Sequence, residues 1–194
     1  MKKGKIIFLN GVSSAGKTTL AKSLQSNLSE PFFLLSYDMF CDMSPEKFLK
    51  TNAKKTTPII KTGLHHTIKL FSDIGINTII DHVILEGKGM NTNITNLDDI
   101  EECVHLLHDY NVVFVHVMCP LDELRRREKE RGDRVAGTAE YQLSHLCPQD
   151  TYDITVDTFN ESMEECVNKI IKLLDCSEKI TAFKTLWLHQ LQTK

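Results

Sequence analysis

Residues 11–18 have the types and the spacing that are needed to wrap a phosphate chain. They read Gly-Val-Ser-Ser-Ala-Gly-Lys-Thr and fit the pattern G-x-x-x-x-G-K-S/T, whose glycines permit a tight turn of backbone N–H groups around phosphates. A helix that begins here presents its free N–H groups to the same anion. We expect Lys17 to reach the β- and γ-phosphates and the Thr18 hydroxyl to bind Mg²⁺. The predicted nucleotide site consists of Gly11, Val12, Ser13, Ser14, Ala15, Gly16, Lys17, Thr18 and Thr19.

A phosphate-binding loop alone does not choose between GTPases, motor ATPases and kinases. The chain has no Asn/Thr-Lys-x-Asp motif for reading guanine, and 194 residues are too few for most motor ATPases. A small kinase remains. It needs a base for the accepting hydroxyl and cations for the transferred phosphoryl group, because catalysis of this transfer is mostly positioning and charge stabilisation.

Two aspartates follow apolar runs and are candidates for that base and for a metal ligand. Asp38 ends the stretch FFLLSYD, and Asp81 ends the apolar part of NTIIDHV. At the carboxyl ends of parallel strands both would face the ligand edge of a sheet. One could accept the proton of a substrate hydroxyl, and the other could hold Mg²⁺ through water. An alternative for Asp38 is the N-cap of the next helix, and the spacing does not assign the roles.

Five arginines stand close together in the stretch LDELRRREKERGDR, at positions 125, 126, 127, 131 and 134. In a continuous helix Arg127, Arg131 and Arg134 would share one face, although Gly132 is expected to end the helix. Such a charge run is often a solvated helix with ion pairs such as Glu123–Arg127. The phosphate-binding loop favours the other interpretation, a lid over about 121–142 that closes on the nucleotide.

The elements that must position these residues alternate between strand and helix. Apolar, β-branched runs predict five strands: Lys5–Leu9, Phe32–Ser36, Thr78–Asp81, Val112–Cys119 and Asp153–Asp157. Helical patterns lie at Lys17–Leu28, Pro58–Ile74, Leu97–Asp109, Leu121–Arg131, Ser162–Leu174 and Glu178–Leu191. Several of the strands are almost continuously hydrophobic, which is typical of a parallel sheet buried on both faces. The pattern therefore predicts a three-layer α/β domain.

Composition is that of an ordinary globular protein, with a net charge of −3, which argues against a nucleic-acid partner. The six cysteines show no C-x-x-C spacing, so a zinc site is not expected. The first apolar run is too short for a signal peptide and no window is long enough for a membrane span, so we expect a cytoplasmic protein with no membrane partner. The apolar stripe near the C-terminus, around Trp187, is expected to pack on the body or on a second copy in a homo-oligomer.

In five stretches the sequence resembles the chloramphenicol 3-O-phosphotransferase family of P-loop kinases. These stretches are LNGVSSAGKT, YDMFCDMSP, TIIDHVILEG, ERGDRVAG and YDITVDT, in this order along nearly the whole chain. The resemblance implies a P-loop kinase fold with a five-stranded parallel sheet in the order 2-3-1-4-5 and a helical lid. It implies ATP and Mg²⁺ as cofactors and a small-molecule hydroxyl as the acceptor.

The resemblance also implies roles for individual residues. The family's base corresponds to Asp38, its phosphate-binding lysine to Lys17, and its lid arginines to Arg127, Arg131 and Arg134. Asp81 then becomes the supporting group, expected with Thr18 at the metal. The chain departs from the family where Asp81 is followed by His82, and in the lysine-rich region between residues 46 and 63 that should border the acceptor.

The sequence thus predicts an ATP-dependent O-phosphotransferase acting on chloramphenicol or a similar compound. We expect a kinase domain over residues 1–175 and a helical extension over residues 176–194. Two alternatives stay open at this point. One is a kinase of another alcohol, such as a nucleotide sugar in the manner of zeta-type toxins, and the other is a nucleotide-binding protein without catalysis.

Overall fold

Five parallel strands form the central sheet in the part of the chain that the computed structural model describes, residues 2–86, 98–132 and 137–192. Their order is β2-β3-β1-β4-β5, which confirms the predicted sheet. The strands are β1 (Ile6–Asn10), β2 (Phe32–Ser36), β3 (Asn77–His82), β4 (Val112–Met118) and β5 (Ile154–Asp157). Because all strands run the same way, their carboxyl ends meet at one edge.

Helices connect the strands and cover both faces of the sheet. They are α1 (Lys17–Asn27), α2 (Tyr37–Asp42), α3 (Glu46–Thr51), α4 (Ala53–Asp73), α5 (Asp99–Leu107), α6 (Leu121–Arg131), α7 (Thr138–Leu143), α8 (Met163–Leu174) and α9 (Ala182–Gln192). Gly132 ends α6 with a φ of 68°, as expected of a left-handed C-cap. None of the described helices has both the length and the apolar character of a membrane span.

Alternate residues of the strands divide the core into two layers. Ile7 and Leu9 of β1 belong to the cluster that includes α1 and α8, whereas Ile6 and Phe8 belong to the cluster that includes α4, α5 and α9. All four are fully buried, as the apolar runs predict.

The last helix packs on the second of these layers. The Phe183 ring lies 6.1 Å from the ring of Phe8 and 5.1 Å from that of Phe114. The ring of Trp187 stacks on that of His108 at 4.2 Å. Residues 176–194 were expected to be an extension. That division of the chain stays a prediction, but the helix clearly contributes to the core.

Three short helices, α2, α3 and α7, were not predicted, because six residues are too few to show a repeated apolar stripe. The C-terminal helix begins at Ala182 rather than near residue 178, after a 3₁₀ turn over Ser177–Lys179. The predicted site residue Arg134 and part of the predicted lid, residues 133–136, lie outside the described residues.

Candidate active site

The phosphate-binding loop connects β1 to α1, and its glycines are sterically required. A Cβ atom on Gly11 would lie 2.4 Å from the carbonyl oxygen of Val117, and Gly16 has a φ of 92°. Ser14 also has a positive φ, 63°, in the left-handed region that few residues other than glycine adopt. The Lys17 side chain is buried, and its Nζ donates to the carbonyl oxygen of Val12 at 3.0 Å. The backbone here is therefore held in an unusual turn.

A side-chain brace from the end of β5 supports this loop. The Thr158 hydroxyl donates to the carbonyl oxygen of Ala15 at 2.7 Å. The guanidinium of Arg127 donates to the Thr158 hydroxyl at 3.3 Å and to the carbonyl oxygen of Ser14 at 3.4 Å, and it is held by Glu123 at 2.7 Å. Arg127 thus contacts the loop itself, besides lining the cavity beside it.

Two hard oxygen atoms meet beside the lysine of the loop. The Thr18 hydroxyl donates to Asp81 Oδ2 at 2.6 Å, and Asp81 Oδ1 lies 4.0 Å from Lys17 Nζ. A hydroxyl and a carboxylate suit Mg²⁺, which takes few protein ligands and completes its shell with waters and phosphate oxygens. Among the described residues no three His, Cys, Asp or Glu side chains are grouped so that they could hold a metal ion, but a magnesium site of this kind does not need such a group. The donor set therefore fits the predicted metal.

One cavity of about 700 Å³ is lined by most of the predicted site residues that the structure describes. The exceptions are Gly11, Val12 and Ala15 of the loop. Its lining includes Lys17, Thr18, Asp38, Asp81, Arg127 and Arg131. Asp38 lies in the first turn of α2, but it is not the N-cap, because the Ser36 side chain accepts the N–H of Met39 at 3.1 Å. The capping alternative for Asp38 is wrong, and its carboxylate stays a candidate for chemistry.

The arginine-rich helix α6 divides its side chains between solvent and cavity. Arg125 forms an ion pair with Glu140, and Arg126 forms ion pairs with Glu123 and Glu130. Both arginines are exposed, as expected of a solvated helix. The hydrogen bonds from Arg126, and then from Arg127, hold the pKa of Glu123 at about 2. Arg127 and Arg131, in contrast, line the cavity, and the closing lid stays a prediction.

Residues from α2, α4 and the end of β3 form a second wall of the cavity, which we call the α2–α4 wall: Tyr37, Asp38, Thr57, Lys61 and His82. Lys61 Nζ lies 2.5 Å from Oδ2 of Asp99, which is 95% buried, so the lysine charge is balanced locally. The other lysines of the lysine-rich region, Lys47, Lys50, Lys54 and Lys55, are exposed.

His82 is the unusual member of this wall. Its ring is 98% buried and stacks on Tyr37 at 5.5 Å, and neither ring nitrogen has a hydrogen-bond partner. Burial, followed by the charges of His65, Lys61 and Lys17, lowers the pKa of His82 well below its usual value. Burial likewise raises the pKa of Tyr37. Both groups are therefore neutral near pH 7. His65, which was expected to have a surface or packing role, is fully buried and contacts Glu102.

Two residues that contact the phosphate-binding loop were not identified from the sequence. Gln142, in α7, accepts the main-chain N–H of Ser13 with its Oε1 at 2.6 Å, across 129 residues of chain. No local pattern marks it. Thr158 directly follows β5, so the rule that ligands bind at the carboxyl ends of strands could have indicated it.

Known proteins match this chain in sequence and in fold. A family model described as chloramphenicol phosphotransferase-like protein matches residues 4–175. A Mycobacterium tuberculosis protein provisionally named an O-phosphotransferase is 28% identical over 194 residues, covering 88% of this chain and 82% of that protein. The adenylyl-sulfate kinase of Clostridium kluyveri is 28% identical over 182 residues, covering 89% of this chain and 84% of that enzyme.

Among solved structures, APS kinase of Mycobacterium tuberculosis in complex with AMPPNP and APS superposes with a TM-score of 0.59. It is 16% identical, and the match covers 90% of this chain and 99% of that one, so the likeness concerns the fold. The family model, in contrast, spans most of the sequence, including the phosphate-binding loop and the arginine-rich helix. This chain therefore belongs to the chloramphenicol phosphotransferase-like family, and it is a P-loop kinase whose phosphate acceptor is an alcohol.

Proposed function

We propose that this enzyme transfers the γ-phosphoryl group of ATP, in the presence of Mg²⁺, to a hydroxyl group of a small neutral molecule, with chloramphenicol as the first candidate. The observation that carries the proposal is that the phosphate-binding loop and the Asp38 carboxylate line one cavity of about 700 Å³. A cavity of this size can hold small molecules, and a base in its lining can serve an acceptor hydroxyl that is bound there.

The residues of the cavity have distinct roles in this reaction. Asp38 accepts the proton of the acceptor hydroxyl while the oxygen of that hydroxyl forms a bond to the γ-phosphorus. Lys17 and Arg131 balance the negative charge that passes to the departing ADP, and we assign Arg134 the same role. Thr18 would bind Mg²⁺ directly and Asp81 through water, and the ion would supply further charge neutralisation. Arg127 holds the loop in shape from the side of β5.

A conservative substitution of the base tests the proposal. Asp38→Asn keeps the size of the side chain but cannot take a proton, so turnover should fall about 10²- to 10⁴-fold. Binding of ATP should change little, because the phosphates are held by other residues. The measurement is ADP release with chloramphenicol, together with calorimetric binding of ATP. Asp42→Asn, on the same helix but outside the cavity lining, is the matched control. Unchanged turnover in Asp38→Asn refutes the assignment of the base.

The charges of the α2–α4 wall favour a neutral acceptor. Lys61 is already balanced by Asp99, and the His82 ring is neutral, whereas Asp38 adds a negative charge. An anionic acceptor would meet the like charge of the Asp38 carboxylate in this wall.

The relatives named adenylyl-sulfate kinase favour a second candidate, an anionic alcohol such as adenylyl sulfate or a nucleotide sugar. A panel of chloramphenicol, adenylyl sulfate and a nucleotide sugar distinguishes the two by kcat/KM for ADP release. A higher kcat/KM for either anionic compound would overturn the neutral acceptor but leave the phosphotransfer itself in place.

A further inference from the structure

One peptide unit of the phosphate-binding loop is contacted at both of its polar ends. Its carbonyl group, on Val12, accepts a hydrogen bond from Lys17 Nζ at 3.0 Å. Its N–H group, on Ser13, donates to Gln142 Oε1 at 2.6 Å. The carbonyl and N–H groups of a trans peptide point in opposite directions, so Lys17 and Gln142 lie on opposite sides of this unit.

These contacts also fix the spacing between the two side chains. With standard peptide dimensions, Lys17 Nζ and Gln142 Oε1 are at most about 8 Å apart. Two donors at this spacing can contact one phosphoryl group through hydrogen bonds of about 2.8 Å, if the group lies in the cavity beside the peptide unit that separates them. Gln142 and Lys17 also line the same cavity, together with Arg131 and Asp38.

The chemistry of glutamine suits this position. Its amide carries an acceptor and a donor group on atoms about 2.2 Å apart. The acceptor, Oε1, is held by the Ser13 N–H, which fixes the plane of the amide. The two N–H bonds of Nε2 are then the part of Gln142 that can reach a phosphoryl oxygen, and they add donors without adding a charge.

Resting on the function proposed above, we propose that Gln142 is a further catalytic residue, whose side-chain Nε2 donates a hydrogen bond to the transferring γ-phosphoryl group. Its Oε1 meanwhile holds the Ser13 N–H, so that α7 is brought against the phosphate-binding loop. The competing explanation is that Gln142 only fastens α7 to the loop and does not touch the nucleotide.

Two substitutions distinguish the proposed phosphoryl contact of Nε2 from the hydrogen bond between Oε1 and the Ser13 N–H. Gln142→Ala removes both interactions. Gln142→Glu keeps a carboxylate oxygen that can accept the Ser13 N–H, but it loses the Nε2 donors and places a negative charge beside the phosphates. A purely structural role therefore predicts that Gln142→Ala weakens ADP and AMPPNP binding alike, whereas a phosphoryl-binding amide predicts that it weakens AMPPNP binding alone. Gln149→Ala is the control, since Gln149 is exposed and does not line the cavity.

The assay compares two nucleotides that differ in the γ-phosphoryl group, by calorimetric titration of each variant with ADP and with AMPPNP. We expect Gln142→Ala to weaken AMPPNP binding about tenfold, and Gln142→Glu more, because hydrogen bonds to charged groups are among the strong ones. ADP binding should change less than about twofold in Gln142→Ala, because ADP lacks the group concerned. Thermal melting confirms that each variant is folded.

Each outcome decides the matter. Equal weakening of ADP and AMPPNP, or wild-type affinity of Gln142→Glu for AMPPNP, overturns the role of Gln142 but leaves the proposed function standing. If the wild-type enzyme binds neither nucleotide, the proposed function fails, and the role of Gln142 fails with it. A loss confined to AMPPNP in both variants, with Gln149→Ala unchanged, supports the proposal.

Discussion

Thr158→Val should reveal how much the brace from β5 contributes to the phosphate-binding loop. Valine keeps the branched shape of threonine, so the substitution removes the hydroxyl and little else. In the wild-type enzyme this hydroxyl donates to the carbonyl oxygen of Ala15 at 2.7 Å and accepts from Arg127 at 3.3 Å. Ala15 is fully buried, so no water is expected to replace the lost donor.

The expected loss of stability follows from the Ala15 carbonyl group that this substitution leaves without a hydrogen bond. Leaving one buried acceptor unsatisfied costs about 1–3 kcal/mol in the free energy of unfolding. For a chain of this size each kcal/mol lowers Tm by about 2–4 °C, so we expect a fall of roughly 2–12 °C. The affinity for ATP should fall as well, because the peptide units that face the phosphates are no longer held by this hydrogen bond.

The assay is thermal unfolding of wild type, Thr158→Val and Thr158→Ser, together with ATP binding. Thr158→Ser keeps the hydroxyl and loses the methyl group near Gly16, so it should remain close to the wild type in both measurements. If valine and serine variants melt at the same temperature, the Ala15 hydrogen bond does not stabilise the loop, and the reasoning is refuted.

Two further substitutions address the loop and the α2–α4 wall. Gly11→Ala should lower the free energy of unfolding by about 1–3 kcal/mol or more, because the added Cβ would lie 2.4 Å from a backbone oxygen. Urea unfolding measures this change, and a variant as stable as the wild type would contradict it. His82→Phe should flatten the pH dependence of stability. Because the pKa of folded His82 lies well below the 6.5 of the unfolded chain, wild-type stability falls as the pH drops below about 6.5, by up to about 1.4 kcal/mol per unit. Urea unfolding at pH 7.5 and 5.5 checks this, and equal pH dependence in both proteins would contradict it.

The sheet was predictable because its signals are local. Each buried strand is a nearly continuous apolar run, and the phosphate-binding loop is a contiguous motif, so types and spacing along the chain suffice. The strand starts and ends differ from the predicted ones by a residue at most.

Contacts between distant segments could not be predicted in this way. The Lys61–Asp99 pair, the His65–Glu102 contact and the Gln142–Ser13 hydrogen bond each join residues that are 37 or more positions apart. They depend on how helices pack on the sheet, which no periodicity encodes. The N-cap of α2 could not be predicted for a different, local reason. Ser36 and Asp38 are both good capping residues, and only the backbone angles decide between them.

Neighbouring positions at the end of β3 point to opposite faces of the sheet. Asp81 meets Thr18 and Lys17, whereas His82 meets Tyr37, His65 and Phe8. A substitution at position 82 can therefore alter the α2–α4 wall without disturbing the Asp81 carboxylate. Deleting one residue earlier in this strand, in contrast, would move each of these side chains to the other face of the sheet, so the contacts of Asp81 and of His82 would be lost together. If the α2–α4 wall binds the acceptor as proposed, the pleat of a single strand lets acceptor choice vary separately from phosphate binding.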